Sequence, residues 1–347
     1  MPDARRSGGG EQALLAAAKG GDEGAFGLLV DPYRRELRAH AYRMLGSGAD
    51  AEEALQEALI GAWRGLPRFE GRSSLRSWLH TIAANAALKA IRSRPSRTLP
   101  MDHGPEADPT ADHDEPLAES VWIEPMPDEL LVDDDAGANP AARYEQRESV
   151  ELAFVAALQH LPPRQRAALI MCDVLDFSAR ETAEALDTTS VSIDSALQRA
   201  HKTVEERLPD QSQQKTLRAL TDAELRDVVD GYVRAFEAAD VPAVAERLAE
   251  DAVLSMPPLR EWYSGAANVA TYYGSRGLEH DSRRLIPTRA NGQPAAAHYT
   301  WREDRGAFLP HAIQVLALSP EARLREITVF VMPEAFPRFG LPERLEP

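Results

Sequence analysis

Between residues 190 and 202 the chain carries Ser190, Ser192, Ser195, Gln198, Arg199, His201 and Lys202. Hydroxyls, an amide, an imidazole and cations at this density form the donor set that reads base edges and phosphates in a DNA major groove. The residues just upstream say what holds them. Ser178 and Glu181 make an S-x-x-E capping box that starts one short helix, and Asp187-Thr-Thr-Ser190 gives a turn and the N-cap of a second. Ala183 is small where the two helices would touch, and Leu186, Val191, Ile193 and Leu197 read as their shared core. That is a helix-turn-helix, with the second helix as the reader. Its charge is balanced, however: Arg199, Lys202 and Arg207 face Asp194, Glu205 and Glu206. The phosphate contribution is therefore weak, and DNA affinity of this part alone is expected to be low and salt-sensitive.

Two further groups carry chemistry. Seven basic residues against the single acid Glu70 lie between Arg68 and Arg97. Arg72, Arg76, Lys89, Arg92 and Arg94 suit phosphates there, while Ser73, Ser74 and Asn85 suit a base or sugar edge. Trp78 falls on an apolar stripe, so a core role competes with stacking on a base. Just upstream, Asp50, Glu53, Gln56 and Glu57 line the polar side of a helix, with a basic protein surface or plain solvent as the alternatives. Near the C-terminus, Asp251, Trp262, Tyr263, Tyr272, His298, Tyr299, Trp301 and His311 gather aromatic and titratable groups at strand spacing. No acid with an oxyanion partner can be placed among them, so the expectation is no catalytic residue, no metal site and no cofactor.

The elements that must position these groups follow from periodicity. Phe26, Leu29, Val30, Tyr33, Leu37, Ala41, Met44 and Leu45 recur at three- and four-residue steps as one helix, broken by Gly46-Ser-Gly48. A second helix buries Ala51, Ala54, Leu55, Ala58, Leu59 and Trp63, and a third runs from Leu75 to about Arg94 with Trp78, Ile82, Leu88 and Ile91 inward. Residues 98–147 differ in kind. Thirteen Asp or Glu and no Lys or Arg lie between Asp102 and Asp135, with prolines throughout, the composition of a flexible linker. Its reach as a free coil is roughly 40 Å. Further on, Thr221 and Glu224 cap another helix, and Asn291-Gly292 and Ser319-Pro320-Glu321 each join strands in a helix-plus-antiparallel-sheet domain.

The 347 residues carry a formal net charge of −16, which argues against coating nucleic acid by bulk charge. One cysteine, Cys172, excludes an internal disulfide and reads as a buried small hydrophobe. No secretory h-region and no run of apolar residues long enough to span a bilayer is found, so a cytoplasmic protein without membrane contact is expected.

Taken in order, Asp50-Ala-Glu-Glu-Ala-Leu-Gln-Glu57, then Phe69 to Leu88, then Leu161-Pro-Pro-Arg-Gln-Arg166 ahead of the helix-turn-helix, resemble bacterial sigma factors of the sigma-70 family. The resemblance is to the extracytoplasmic-function type, which keeps only regions 2 and 4. The C-terminal portion resembles a SnoaL-like domain, an α+β cone related to nuclear transport factor 2. Asn291-Gly-Gln-Pro-Ala295 and Phe336-Pro-Arg-Phe-Gly-Leu-Pro342 resemble the mycobacterial sigma G-like branch that carries this extension. The fold implied is multidomain: two all-α helical domains followed by the α+β cone. The boundaries are a disordered tail over 1–10, region 2 over 11–97, the linker over 98–147, region 4 over 148–208, a hinge over 209–218 and the SnoaL-like domain over 219–347.

What the resemblance implies is a division of labour. Asp50, Glu53, Gln56 and Glu57 would dock on core RNA polymerase, whose clamp coiled coil and flap are the implied contacts. Arg72, Ser73, Ser74, Arg76, Asn85, Lys89 and Arg92 would open and read the −10 element of promoter DNA. The helix-turn-helix residues would read the −35 element, about seventeen base pairs or roughly 60 Å away. The acidic linker either solvates the gap or lies in a polymerase channel. Trp262, Tyr263, Tyr272, Tyr299, Trp301 and His311 would line a SnoaL-type pocket for a small-molecule or protein regulator. The alternative is a DNA-binding regulator fused to a ligand-binding or catalytic domain that never joins polymerase.

Overall fold

The computed structural model describes residues 4–113, 115–117, 121–132, 140–278 and 282–347. Five helices come first: α1 (Ala4–Lys19), α2 (Glu23–Val30), α3 (Arg34–Leu45), α4 (Gly48–Gly65) and α5 (Leu75–Ile91). Then follow α6 (Asp128–Leu131), α7 (Pro140–Glu148), α8 (Leu152–Gln159), α9 (Pro163–Leu169), α10 (Ala179–Ala185) and α11 (Ser190–Glu205). The last part holds α12 (Gln213–Ala219), α13 (Asp222–Glu237), α14 (Val241–Ala245) and α15 (Ala266–Tyr272). Its strands are β1 (Leu248–Ser255), β2 (Trp262–Ser264), β3 (Arg283–Ala290), β4 (Gln293–Arg302), β5 (Ala307–Leu318) and β6 (Leu324–Phe330). Two compact units result, Met1–Arg94 with Leu130–Asp133 and Leu158–Glu206, and Pro95–Glu129 with Asp134–Ala157 and Arg207–Pro347.

The first unit is helical. Helix begins at Ala4, well inside the tail expected to be disordered. The single helix expected over residues 26–45 is two, because Pro32 lacks an N–H and sits in a 3₁₀ turn, Asp31–Tyr33, between α2 and α3. Gly46 closes α3 with φ of 67°, and Ser47 caps α4 by accepting from the Asp50 N–H at 3.1 Å. The core joins Leu29, Val30 and Leu37 to Leu55, Ala58, Ala62 and Leu66, with Leu75, Leu79 and Ala83 from α5. The buried face of α5 is thus rotated from the one expected: Trp78, Ile82, Leu88 and Ile91 are only half-buried, and the small residues Ala83, Ala84 and Ala87 take the inner seam.

Helices α9 to α11, read as a separate domain, belong to this same unit, with α9 packing on α3 and α5 and α10 on α5. A buried polar knot fastens them. The Arg166 guanidinium donates to the carbonyls of Met44, Gln159 (2.9 Å) and Leu161 (3.2 Å), while Gln159 Nε2 donates to the Arg43 carbonyl at 3.1 Å. A buried main-chain acceptor left without a donor is expensive, so these bonds favour keeping the helices together.

In the second unit six strands form one sheet in the order β2-β1-β6-β5-β4-β3. The sheet is mixed, not antiparallel throughout, because β1 runs parallel to β6 across the whole intervening chain. Asn291 and Gly292 join β3 to β4 with φ of 56° and 71°, the left-handed pair that a two-residue hairpin requires. Thr221 and Glu224 form the expected capping box at α13, whose Tyr232 and Phe236 enter a core with Leu254, Val269, Ala312, Leu316 and Ile327.

The proline-rich acidic segment is not a free linker where it is described. Residues 98 and 121–123 pair with each other, the Thr98 N–H donating to the Val121 carbonyl at 2.9 Å and the Ile123 N–H to the Thr98 carbonyl at 3.1 Å. Arg97 donates to the Trp122 carbonyl (2.7 Å) and to Glu124 (3.2 Å). Trp122, Ile123 and Met126 are buried, and these few apolar anchors outweigh the acidic surroundings. The Ala107 N–H reaches the Trp262 carbonyl at 2.9 Å, and the Asn291-Gly292 turn grips residues 126–128. Residues 148–157, read as the start of region 4, also belong to this second unit, and much of the expected hinge is α12. Residues 133–139 of the expected linker lie outside the described residues.

Candidate nucleic-acid interface

The helix-turn-helix forms from the residues that encode it. Ser178 Oγ accepts from the Glu181 N–H at 3.2 Å while Glu181 Oε2 accepts from the Ser178 N–H at 3.0 Å, closing the capping box. Asp187 turns the chain with φ of 50°, and within the expected stretch Thr189 is the N-cap of α11, accepting from the Ser192 N–H at 3.2 Å. Ala183, Leu186, Ile193, Ala200 and Val204 are buried between and behind the helices. Val191, expected in that core, is instead 75% exposed, because Ile193 and Ala200 fix the inward seam and leave Val191 opposite it.

Of the expected readers, Ser192, Gln198, Arg199, His201 and Lys202 are exposed and Ser190 and Ser195 half-exposed. They share one helix, but not all are equally available. His201 Nε2 lies 2.6 Å from Asp173 Oδ2, and Lys202 Nζ 3.9 Å from Glu206. Cys172 beside Asp173 is half-buried, its thiol 3.2 Å from Thr182 Oγ1 and pushed up by burial.

The basic helix divides in the same way. Asn85, Lys89 and Arg92 are exposed at i, i+4, i+7 spacing and so form one stripe along α5. Arg72 and Ser73 are exposed in the loop before it, Arg72 lying 3.1 Å from Glu70, and Ser74 caps α5 by accepting from the Ser77 N–H at 3.0 Å. Arg76 departs from expectation. Its guanidinium is bound by both oxygens of Glu36, donates to the Leu175 carbonyl at 3.1 Å and sits 5.0 Å from the centre of the Phe177 ring. Within the first unit that guanidinium is therefore already engaged. Trp78 packs against Phe69 at 4.9 Å between ring centres, over Gly65, where a Cβ would stand 3.2 Å from the indole.

On α4, Glu53, Gln56 and Glu57 are exposed and Asp50 half-buried. Arg94 bridges two of them, lying 3.1 Å from Asp50 and bonded to Glu53. Ile60, one turn beyond Gln56 and Glu57, is 45% exposed, an apolar addition to this acidic face that periodicity alone did not flag.

The six residues expected to line a C-terminal pocket do not converge. Tyr263 and Tyr272 stack at 4.7 Å inside the core, and Trp262 Nε1 donates to the Gly104 carbonyl at 3.0 Å. Tyr299 donates to the Pro342 carbonyl at 2.9 Å and meets Phe336 edge-on, while Trp301 packs on Phe308 and His311 on His298. Strand alternation explains the scatter, since Tyr299 and Trp301 face away from the side that carries Ala296 into the core. The polar atoms that do meet inside are the Tyr232 hydroxyl, donating to Gln314 Oε1 at 2.8 Å, and the Tyr273 hydroxyl 3.5 Å away.

This arrangement matches known proteins along its length. The chain matches the Sigma-70 region 2 model over residues 29–97 and the Sigma-70 region 4 model over residues 151–204. It is 43% identical over 325 residues to the ECF RNA polymerase sigma factor SigG of Mycobacterium tuberculosis, covering 93% of this chain and 85% of that one. A second relative, the sigma factor SigM of the same species, is 32% identical over 187 residues, 54% of this chain and 79% of that one. Among solved structures, the extracytoplasmic function sigma factor SigJ of M. tuberculosis has the same fold over 89% of this chain and 97% of its own, with a TM-score of 0.54 at 21% identity. With the acidic helix, the basic helix and the helix-turn-helix all in place, the chain belongs to the extracytoplasmic-function family of RNA polymerase sigma factors.

Proposed function

We propose that this chain joins core RNA polymerase and directs it to promoters, with α4 as the polymerase-facing element, α5 as the −10 reader and α11 as the −35 reader. The observation that supports it most directly is the pairing of the exposed acids Glu53 and Glu57 on α4 with the exposed Asn85, Lys89 and Arg92 stripe on α5. A DNA-binding regulator that never met polymerase would need the helix-turn-helix alone. Two carboxylates and an amide suit a basic protein surface, and the α5 stripe suits the phosphates of an opened strand.

Helix α10 packs on α5 and α11 packs on α10, so the two reading helices are tied together through α10 in this arrangement. Promoter elements about seventeen base pairs apart, roughly 60 Å, cannot both be read until α9–α11 leave α3 and α5. The second unit, which holds the chain on either side of residues 130–133, is suited to govern that step. Assembly with core polymerase tests the reading. Glu53→Ala with Gln56→Ala is expected to weaken capture of core enzyme and abolish run-off from a cognate promoter, while circular dichroism stays unchanged. Unaltered assembly would sink it.

A further inference from the structure

Helix α11 presents its outward side in a definite register. Ile193, Ala200 and Val204 are buried, and at 3.6 residues per turn the residues opposite that seam are Val191, Ser195, Gln198 and Lys202. Val191 heads this stripe and is 75% exposed, more than either of the other exposed large apolar side chains among the described residues, Leu28 at 66% and Ile60 at 45%. Nothing local requires it. Thr189 does the capping, accepting from the Ser192 N–H at 3.2 Å, and a β-branched residue weakens a helix slightly where it has no packing partner. Its neighbours on the stripe are polar, so no apolar patch surrounds it that another protein would cover.

A recognition helix enters the major groove by its N-terminal residues, and the one apolar group on the major-groove edge of a base pair is the thymine 5-methyl. We propose that Val191 reads a thymine methyl in the upstream promoter element. Gln198, two turns along the same stripe, carries the donor and acceptor that pair with adenine N7 and N6. The two are separated by about 10 Å along the helix, close to three base-pair steps. The element read by α11 therefore includes a thymine and, about three steps away, an adenine. The flanking hydroxyls of Ser192 and Ser195 add hydrogen bonds without a base preference of their own. This assignment rests on α11 being the −35 reader.

The test uses holoenzyme reconstituted from full-length chain and core polymerase. Templates with a randomised −35 segment are selected by transcription, and each thymine of the enriched element is then replaced by deoxyuridine, which removes only the methyl. For the native protein one such replacement is expected to lower initiation about fourfold, the worth of one buried methyl. Val191→Ser should initiate equally on the thymine and uracil templates, and Val191→Ile should keep the difference. Because Val191 is exposed, both variants should melt as the native protein does. If output depends on the −35 segment but Val191→Ser retains every uracil penalty, the assignment is wrong and the promoter reading stands. If Val191→Ser weakens binding to core polymerase in the absence of DNA, the side chain serves a protein contact and the assignment is also overturned. If native output ignores the −35 segment altogether, the α11 reading fails and Val191 with it.

Discussion

The Arg76 guanidinium lies 5.0 Å from the centre of the Phe177 ring, so a residue of α5 is stacked on the turn that leads into the helix-turn-helix. His80, one turn further along α5, meets the same ring edge-on at 5.5 Å. Phe177 is thus the apolar hub between the two reading parts of the first unit.

Replacing Phe177 with leucine keeps much of the buried volume and removes both ring contacts. The expected cost is about 1–2 kcal/mol, from the lost cation–π contact and imperfect filling. Urea unfolding followed through Trp63 and Trp78, both in the first unit, measures it. Hydrogen exchange over α10 and α11 should quicken more than over α2–α4. Uniform acceleration would show that α9–α11 do not separate as a piece.

What the chain disclosed before folding was local. Ser178 with Glu181, Thr221 with Glu224 and Asn291-Gly292 each act within a few residues, and each formed as read. Most of the misreadings come from partners distant in sequence. Arg76 looks like a phosphate contact until Glu36, 40 residues earlier, and the Leu175 carbonyl claim it. The acidic segment looks disordered because composition averages over Trp122, Ile123 and Met126, whose burial decides its course. Val191 counts as core by type, and only the register set by Ile193 turns it outward. The parallel β1–β6 pair joins strands at opposite ends of the sheet domain and leaves no local trace.

Acid should loosen the first unit. Burial works against the Glu36 charge, but the His80 imidazole, with Nε2 3.2 Å away, and the Arg76 guanidinium prevail and hold its carboxyl at about 2, below the ordinary 4.5. Burial also lowers His80 and holds His40 well below its usual value, with His40 Nδ1 3.0 Å from His80 Nδ1. For the histidines, the unfolded chain takes up protons below about pH 6.5 that the folded one refuses. For Glu36, stability present above about pH 4.5 is lost as pH falls toward 2. Both act in one direction. The Glu36 side chain is 34% exposed, so its share after solvent screening is about 1–2 kcal/mol. Unfolding followed by Trp63 and Trp78 from pH 8 to 2 should show a monotonic loss, and Glu36→Gln should remove its lower limb. A flat profile would contradict the geometry of this cluster.

The second unit should answer to pH in the opposite sense. Glu151 is buried, and desolvation raises its carboxyl to about 7 even though it accepts the backbone N–H groups of Gln213 and Gln214 at the start of α12. A folded value above the unfolded one means the stabilisation is complete below about pH 4.5 and fades as pH rises through 7. Melting followed through Trp122, Trp262 and Trp301 should fall from about pH 6.5 upward, above the range in which buried His298 opposes the trend. Glu151→Gln should flatten the curve and lower the plateau, since an amide supplies one acceptor where the carboxyl group has two oxygens. Two units with opposite slopes would then be separable in one titration.

Asn291 is fully buried with φ of 56°. Its side-chain oxygen accepts from the Met126 N–H at 3.0 Å, its amide donates to the Val150 carbonyl at 2.9 Å, and its own N–H donates to the Met126 carbonyl at 2.9 Å. One residue therefore fixes both stretches of chain that lead into and out of residues 130–149. Asn291→Gly keeps the backbone conformation and deletes both side-chain bonds, leaving a buried N–H and a buried carbonyl without partners, at about 2–4 kcal/mol. Asn291→Asp keeps the acceptor for Met126 and tolerates the positive φ, but it buries a carboxylate against the Val150 carbonyl, so it should cost more. Hydrogen exchange at residues 121–128 and 147–152 should rise in the order native, Asn291→Gly, Asn291→Asp. If these segments govern when α9–α11 separate from α5, run-off transcription by holoenzyme should change in that same order at equal polymerase occupancy. Exchange that rises while transcription stays constant would confine the turn to a structural role and remove the second unit from the control of initiation.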